Sequence, residues 1–351
     1  MRDVAVISFA QAPSVRRRLD ANEVEILMPV VQEAVARSGL PRREIGFTVS
    51  GSCDYVAGQP FAFVSALDAV GAWPPITESH VEMDGAWALY EAWVKIQTGD
   101  VDSALVYSFG KTSMGDPGAV LNLQLDPYTV APLGIDAVSL AALQARALLD
   151  SGRYTEKDLA EVVARSRRAA KANPNAQLRG DVDAARLLAE PYLASPLRRH
   201  DCCPISDGAV AVVLAAGDLA RKAVKRPAWI RGIDHRIETH DLGLRDLTRS
   251  PSTALAGEKA GARTGKLDLA ELHAPFSHQE LILAEALGLG DGVQLNPSGG
   301  ALAANALMVA GLTRIGEAAK RIHEGEANRA LAHATSGPCL QHNLVCVLEG
   351  E

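Results

Sequence analysis

The chain has 351 residues, 48% of them hydrophobic, with 30 glycines, 18 prolines and a formal net charge of −7. That length and apolar content supply core for two or three units of ordinary domain size. The acidic balance, without a block of like charges, argues against a nucleic-acid partner, and no apolar run nears the roughly 20 residues that span a bilayer. The opening MRDVAVISFAQAP carries no charged-then-apolar leader, so a cytoplasmic protein with no membrane partner is expected. In chain order, Val4 to Phe9 reads as a buried strand. Asn22 and Glu25 form a capping box ahead of Val24, Leu27, Met28, Val31 and Val35 at helical spacing, with Pro29 inside. Phe47 to Ser50 is a second strand, and Pro74-Pro75 a break. A helix from Gly85 to Thr98, stopped by Gly99, leads into an apolar strand from Ser103 to Phe109.

From about residue 115 to 205 the pattern turns helical, around 137–149 and 156–172, the latter opened by Thr155 and Asp158. Ala209 to Ala215 returns as a strand. The second half repeats the outline: strands at Ala228–Ile233 and Leu269–His273, and a helix at Gln279–Leu287. A long helix opened by Gly299-Gly300 follows, then strands at Arg329–Ala334 and Leu344–Leu348. Gly85 and Gly300 each open an apolar helix that leads to a strand, which suggests two copies of one α/β unit. Five cysteines, at 53, 202, 203, 339 and 346, form no CxxC pair and no zinc spacing, so reduced thiols and no metal site are expected.

Six segments then point to one family. PLRRHDCCPISDGAVAVVL (196–214), KANPNA (171–176), LVYSFGKTSMG (105–115), ELHAPF (271–276), NPSGGALAAN (296–305) and PCLQHN (338–343) resemble, in order and spacing, the motifs of thiolases. The last resembles the sterol-carrier, lipid-transfer branch. The resemblance implies an α/β thiolase fold: a duplicated αβαβα architecture with a helical loop region inserted in the first half. Its boundaries here are 1–115 with 206–222, a loop region at 116–205, and a second half at 223–351.

Set against that family, Glu82 in HVEMDGAWAL falls where the resemblance expects a nucleophilic cysteine, Pro275 where it expects a second one, and Ala306 where it expects a histidine. His273 survives. A thiolase needs a thiolate to carry the acyl group, so the resemblance implies carbon–carbon chemistry without an acyl-enzyme. The foremost expectation is retro-aldol cleavage of a bulky, steroid-type 3-hydroxyacyl-CoA. That step needs a base for the hydroxyl and donors for the enolate oxygen. His273 and Asn305 are the candidate donors, with backbone N–H groups near Ser336 and Gly337, and Gly300 at the glycine-rich turn. Glu82, Asp84, His80 and His278 are the candidate bases, His278 because an imidazole titrates near neutrality unaided. Tyr55 is a further loop candidate.

Blander duties compete with these. Glu82 and Asp84 equally suit a helix cap, Asn305 reads as mid-helix, and the 165–168 run RSRR as a solvated face or a contact for coenzyme A phosphates. Two rival functions remain open: an acyltransferase with a rearranged site, and a non-catalytic subunit that binds coenzyme A thioesters. The resemblance further implies a homodimer, a small OB-fold and zinc-ribbon accessory protein, and no cofactor beyond the coenzyme A of the substrate.

Overall fold

The computed structural model describes residues 2–71 and 76–351; the Pro74-Pro75 break lies outside them. Twelve strands run in chain order: β1 (Val4–Gln11), β2 (Phe47–Gly51), β3 (Glu78–Val81), β4 (Ser103–Gly110), β5 (Tyr192–Ala194), β6 (Leu197–Arg198), β7 (Gly208–Ala216), β8 (Ala228–Ile237), β9 (Leu269–Leu272), β10 (Gln294–Leu295), β11 (Arg329–Ser336) and β12 (His342–Glu349). The helices are α1 (Glu23–Ser38), α2 (Asp54–Ala57), α3 (Ala62–Ala66), α4 (Gly85–Thr98), α5 (Pro117–Leu123), α6 (Ala137–Asp150), α7 (Glu156–Ala169), α8 (Ala184–Leu188), α9 (Gly217–Ala223), α10 (Pro251–Lys259), α11 (Ser277–Leu287), α12 (Gly300–Ala303) and α13 (Ala310–His323).

The sheet order is β10-β9-β11-β12-β8-β1-β7-β4-β2-β3. It splits into two five-strand halves, β3-β2-β4-β7-β1 and β10-β9-β11-β12-β8, joined only where Ala5 and Val6 pair with Trp229 and Ala228. Pairing follows the same sense in both. β2 lies parallel to β3 and β4 while β7 runs antiparallel to β4 and β1. Likewise β9 lies parallel to β10 and β11 while β12 runs antiparallel to β11 and β8. The duplication expected from sequence is therefore present strand by strand.

Burial on both faces explains why these strands read as continuous apolar runs. Val4, Val6, Ala104 and Val106 join α4 and α13 in a central core, while Ala5, Ile7, Leu105 and Tyr107 face α1 on the outside. In the second half Leu344, Cys346 and Leu348 face the same centre, and Val345 and Val347 pack outward with residues of α10 and α11. The result is helix, sheet, paired central helices, sheet, helix.

Local signals held at α1, where the Asn22–Glu25 capping box is formed, Gly39 closes the helix at φ 71° and Pro29 lies inside it. One expectation failed. Gly300 opens only the single turn of α12; Ala304 is extended at φ −162°, and Met308 lies at φ 67°. The long helix is α13, six residues beyond the end of that turn. The break is stabilised by a parallel bridge from Ala306 to Ser206 and by the Asn305 N–H, which donates to Ser206 Oγ at 3.1 Å.

Candidate active site

The two central helices meet head to head, and one carboxylate joins them. Asp84 caps α4: Oδ1 accepts from Ala86 N at 2.9 Å and Leu312 N at 3.0 Å, and Oδ2 accepts from Gly311 N at 2.9 Å. Gly311 permits this approach, since a Cβ there would lie 2.5 Å from Asp84 Oδ1 and 2.6 Å from Ala334 Cβ. Burial pushes the Asp84 carboxyl up to about 6, against the pull of those three N–H groups and of Arg314. The Gly85 N–H also donates to Met308 O at 2.9 Å, tying α4 to the segment that carries Asn305.

His273 follows the end of β9. The Thr335 N–H donates to its Nδ1 at 3.3 Å, and a backbone amide can only donate, so the ring hydrogen sits on Nε2. Nε2 donates to Asn305 Oδ1 at 3.0 Å, and Asn305 Nδ2 donates to Cys203 Sγ at 3.2 Å. One backbone amide thereby sets the imidazole tautomer and the amide orientation together. Burial first, then the neighbouring His333, lowers the His273 pKa to about 3. The ring is neutral at physiological pH and serves as an N–H donor, not as a base.

A buried ion pair supports this floor. Glu271 accepts from Ser298 N at 2.9 Å, Ser298 Oγ at 2.7 Å and Arg314 Nη1 at 2.8 Å. A cavity of about 10 Å³ lies against Ala306, lined by Gln11, Asn173, Ser298 and Arg314 among others; it is water-sized. Burial also raises the thiols, Cys202 and Cys203 to about 12 and Cys339 to about 11, with Cys53 and Cys346 shifted the same way. All five are held as thiols at neutral pH.

The other expected residues lie elsewhere. The carboxylate at the head of α4 belongs to Asp84, not Glu82, whose side chain is 47% exposed and turns to Asp54 N at 2.6 Å and His80 Nε2 at 3.1 Å. His278 does not titrate near neutrality: it is buried against Gln144 Oε1 at 3.1 Å, and desolvation lowers its pKa to about 3. Asn305 is not mid-helix but stands in the break, which is why its side chain can reach His273. Tyr55 is 64% exposed on α2. Gly300, at φ 64°, leaves no room for a Cβ beside the Asn296 side chain. Ser336 ends β11 opposite His342, and Gly337 turns at φ 74°; the N–H that meets His273 is that of Thr335, one residue earlier.

Cys203 and Thr335 were missed. The first sits in a motif quoted only for its likeness, and the second acts through its backbone, which no side-chain pattern reveals. A groove of about 620 Å³ between α7 and α8 contains Arg165 and Arg168 together with Glu161, Asp181 and Asp183. Arg165 pairs with Glu280 and Arg168 with Asp181, while Arg167 donates to the backbone carbonyl of Leu302.

Two matching half-sheets around paired central helices, with polar side chains gathered where those helices begin, define the thiolase fold. No protein-family model matches the chain. It is 28% identical over 360 residues to an acetyl-CoA acetyltransferase of Methanothermobacter thermautotrophicus, covering 94% of this chain and 93% of that one. It is 25% identical over 357 residues to sterol carrier protein 2 of Bos taurus, covering 89% of this chain and 64% of the relative. A chain of the solved Ltp2-ChsH2(DUF35) aldolase superposes with a TM-score of 0.81 at 20% identity, over 99% of this chain and 97% of that one. In sequence and fold the chain is similar to proteins of the thiolase superfamily, with a likeness that extends to sterol carrier protein 2.

Proposed function

We propose that the chain is an enzyme acting on acyl-CoA thioesters without a cysteine nucleophile, cleaving a bulky, steroid-type 3-hydroxyacyl-CoA by retro-aldol chemistry. The observation that carries this is the pairing of a neutral, oriented His273–Asn305 donor set with thiols held protonated by burial. In this reading the base takes the hydroxyl proton, the Cα–Cβ bond breaks, and its electron pair passes into the thioester enolate. His273 Nε2–H and Asn305 Nδ2–H donate to the enolate oxygen once substrate displaces the His273–Asn305 and Asn305–Cys203 contacts. Protonation at Cα then releases a ketone and a shorter acyl-CoA. A base from this chain takes that proton; Asp84, with both oxygens held by three backbone N–H groups, locks the helices instead. Glu82 faces Asp54 and His278 faces Gln144, so neither has that role here.

In this reading the protein works in the cytoplasm as a homodimer, in steroid breakdown, with no cofactor beyond the coenzyme A of its substrate. An OB-fold, zinc-ribbon accessory protein accompanies it; the solved aldolase of similar fold is itself named for two components. Among the described residues no helix is long and apolar enough to cross a membrane. A second reading, acyl transfer, draws on the acetyltransferase likeness and on the Cys203 thiol beside Asn305. It requires a thiolate from a group whose pKa burial raises to about 12.

The test is incubation with a panel of 3-hydroxyacyl- and 3-ketoacyl-CoAs, with mass spectrometry of small products and protein. A ketone, a shortened acyl-CoA and unmodified protein are expected. A thioester adduct on any cysteine would replace this reading by acyl transfer. Binding of coenzyme A thioesters without turnover would leave a non-catalytic subunit.

A further inference from the structure

Three potential metal donors from separate segments converge at the open edge of the first half-sheet, away from the His273 network. β2 and β3 run parallel with Ser50 opposite His80, and α2 begins at Asp54, three residues beyond β2. This brings the carboxylates of Asp54 and Glu82 and the imidazole of His80 together, one donor atom from each lying within 4.8 Å of the others. We infer that Asp54, His80 and Glu82 form a binding site for a divalent transition ion of the zinc class.

Geometry is the first support. His80 Nε2 and Glu82 Oε2 are 3.1 Å apart. Ligand atoms on a tetrahedral ion with bonds of about 2.0–2.1 Å stand roughly 3.3 Å from one another. The imidazole is held from behind, its Nδ1 at 3.0 Å from Ser50 Oγ and its ring stacked on Phe63 at 4.4 Å, the outer support that metal-bound histidines carry. Asp54 is oriented by the N–H groups of Phe61 and Ala62, at 2.7 and 3.0 Å.

Charge is the second support. Among the described residues neither carboxylate pairs with a lysine or arginine, and the ion-pair partner of Glu82 is His80 itself. Glu78 lies on the same face of β3, and its Oε1 is buried with no hydrogen-bond partner. Among the described residues, two carboxylates thus face one imidazole with no lysine or arginine within ion-pair distance, and the unpartnered Glu78 lies on the same strand face. A cation supplies that balance. One nitrogen and two carboxylate ligands suit zinc-like ions better than calcium or magnesium, which favour all-oxygen sites. Three protein ligands leave a fourth position for water.

The test uses the full chain stripped of metal with a chelator, titrated with Zn²⁺ by calorimetry and with Co²⁺ by visible absorption. One equivalent is expected to bind. Glu82→Gln and His80→Gln should each weaken binding roughly tenfold or more, while a Cys202→Ser variant binds as the parent does. Glu82→Gln is isosteric and half exposed, so circular dichroism should match the parent and keep the comparison valid. Absence of stoichiometric binding, binding that survives both glutamine variants, or binding lost with the Cys202 thiol would each overturn the site.

Discussion

The heads of α4 and α13 are the same feature built twice, and they differ in one respect. In the first half the chain passes from β3 through three residues directly into α4, with Asp84 as a cap. In the second half β10 is followed by the turn of α12 and a six-residue break before α13 begins. The unbroken head keeps its carboxylate on backbone N–H groups of both helices. The broken head turns Asn305 away from any helix and toward His273. A duplicated scaffold can thus divide its labour, one copy locking the helices together and the other presenting the polar group. The cost of the break is borne by Ser206, whose hydroxyl accepts the Asn305 N–H and donates to Gln177 Oε1 at 2.7 Å.

Asp84→Ala attacks the locking half and should have the largest effect. It strands three buried N–H groups, each worth about 1–3 kcal/mol, so a loss of roughly 3 kcal/mol or more in urea unfolding is expected. A loss below 1 kcal/mol would show that water replaces the cap. Next, His273→Ala attacks the presenting half. It should lower retro-aldol turnover roughly 10²-fold, about 2.7 kcal/mol in the barrier, and unchanged turnover would remove His273 from the chemistry.

Gly311→Ala tests the contact between halves. The added Cβ meets Asp84 Oδ1 and Ala334, and an overpacking cost of about 1–3 kcal/mol should appear as a lower melting temperature. The smallest effect expected is on pH dependence. His273 and His278 fall to about 3 and His333 and His342 to about 4, so the stability their neutral burial contributes is present above the unfolded value of 6.5 and lost as pH falls toward those folded values. Asp84 acts in the opposite sense: its contribution is present below 3.8 and lost as pH rises through about 6. Four imidazoles outweigh one carboxyl, so unfolding midpoints should decline from pH 7.5 to 5. His278→Gln, which retains a donor for Gln144 but cannot take up the proton, should make that decline shallower. An unchanged slope would contradict the neutral burial of His278.

Much of this was legible from residue order. The Asn22–Glu25 box, the apolar strands and the six family motifs placed the layers, because burial on both sheet faces and capping chemistry act over a few residues. His273 and Asn305 were singled out because each sits at a recognisable point in a motif, and the fold brings their side chains together. Glu82 was given the head of α4 by counting back from Gly85, whereas the end of β3 points its side chain outward and leaves that place to Asp84. His278 was given an ordinary imidazole pKa, since desolvation by α6 is a property of packing and not of neighbours in sequence.

The order of hydrophobic and polar residues was enough to determine two α/β halves and their strands. Only the folded chain decided which nitrogen of His273 carries hydrogen, that Asn305 faces it, and that Asp54, His80 and Glu82 share one edge. Those outcomes depend on backbone amides and on distances between residues far apart in sequence, such as Thr335 and His273, and three-dimensional packing alone sets such distances.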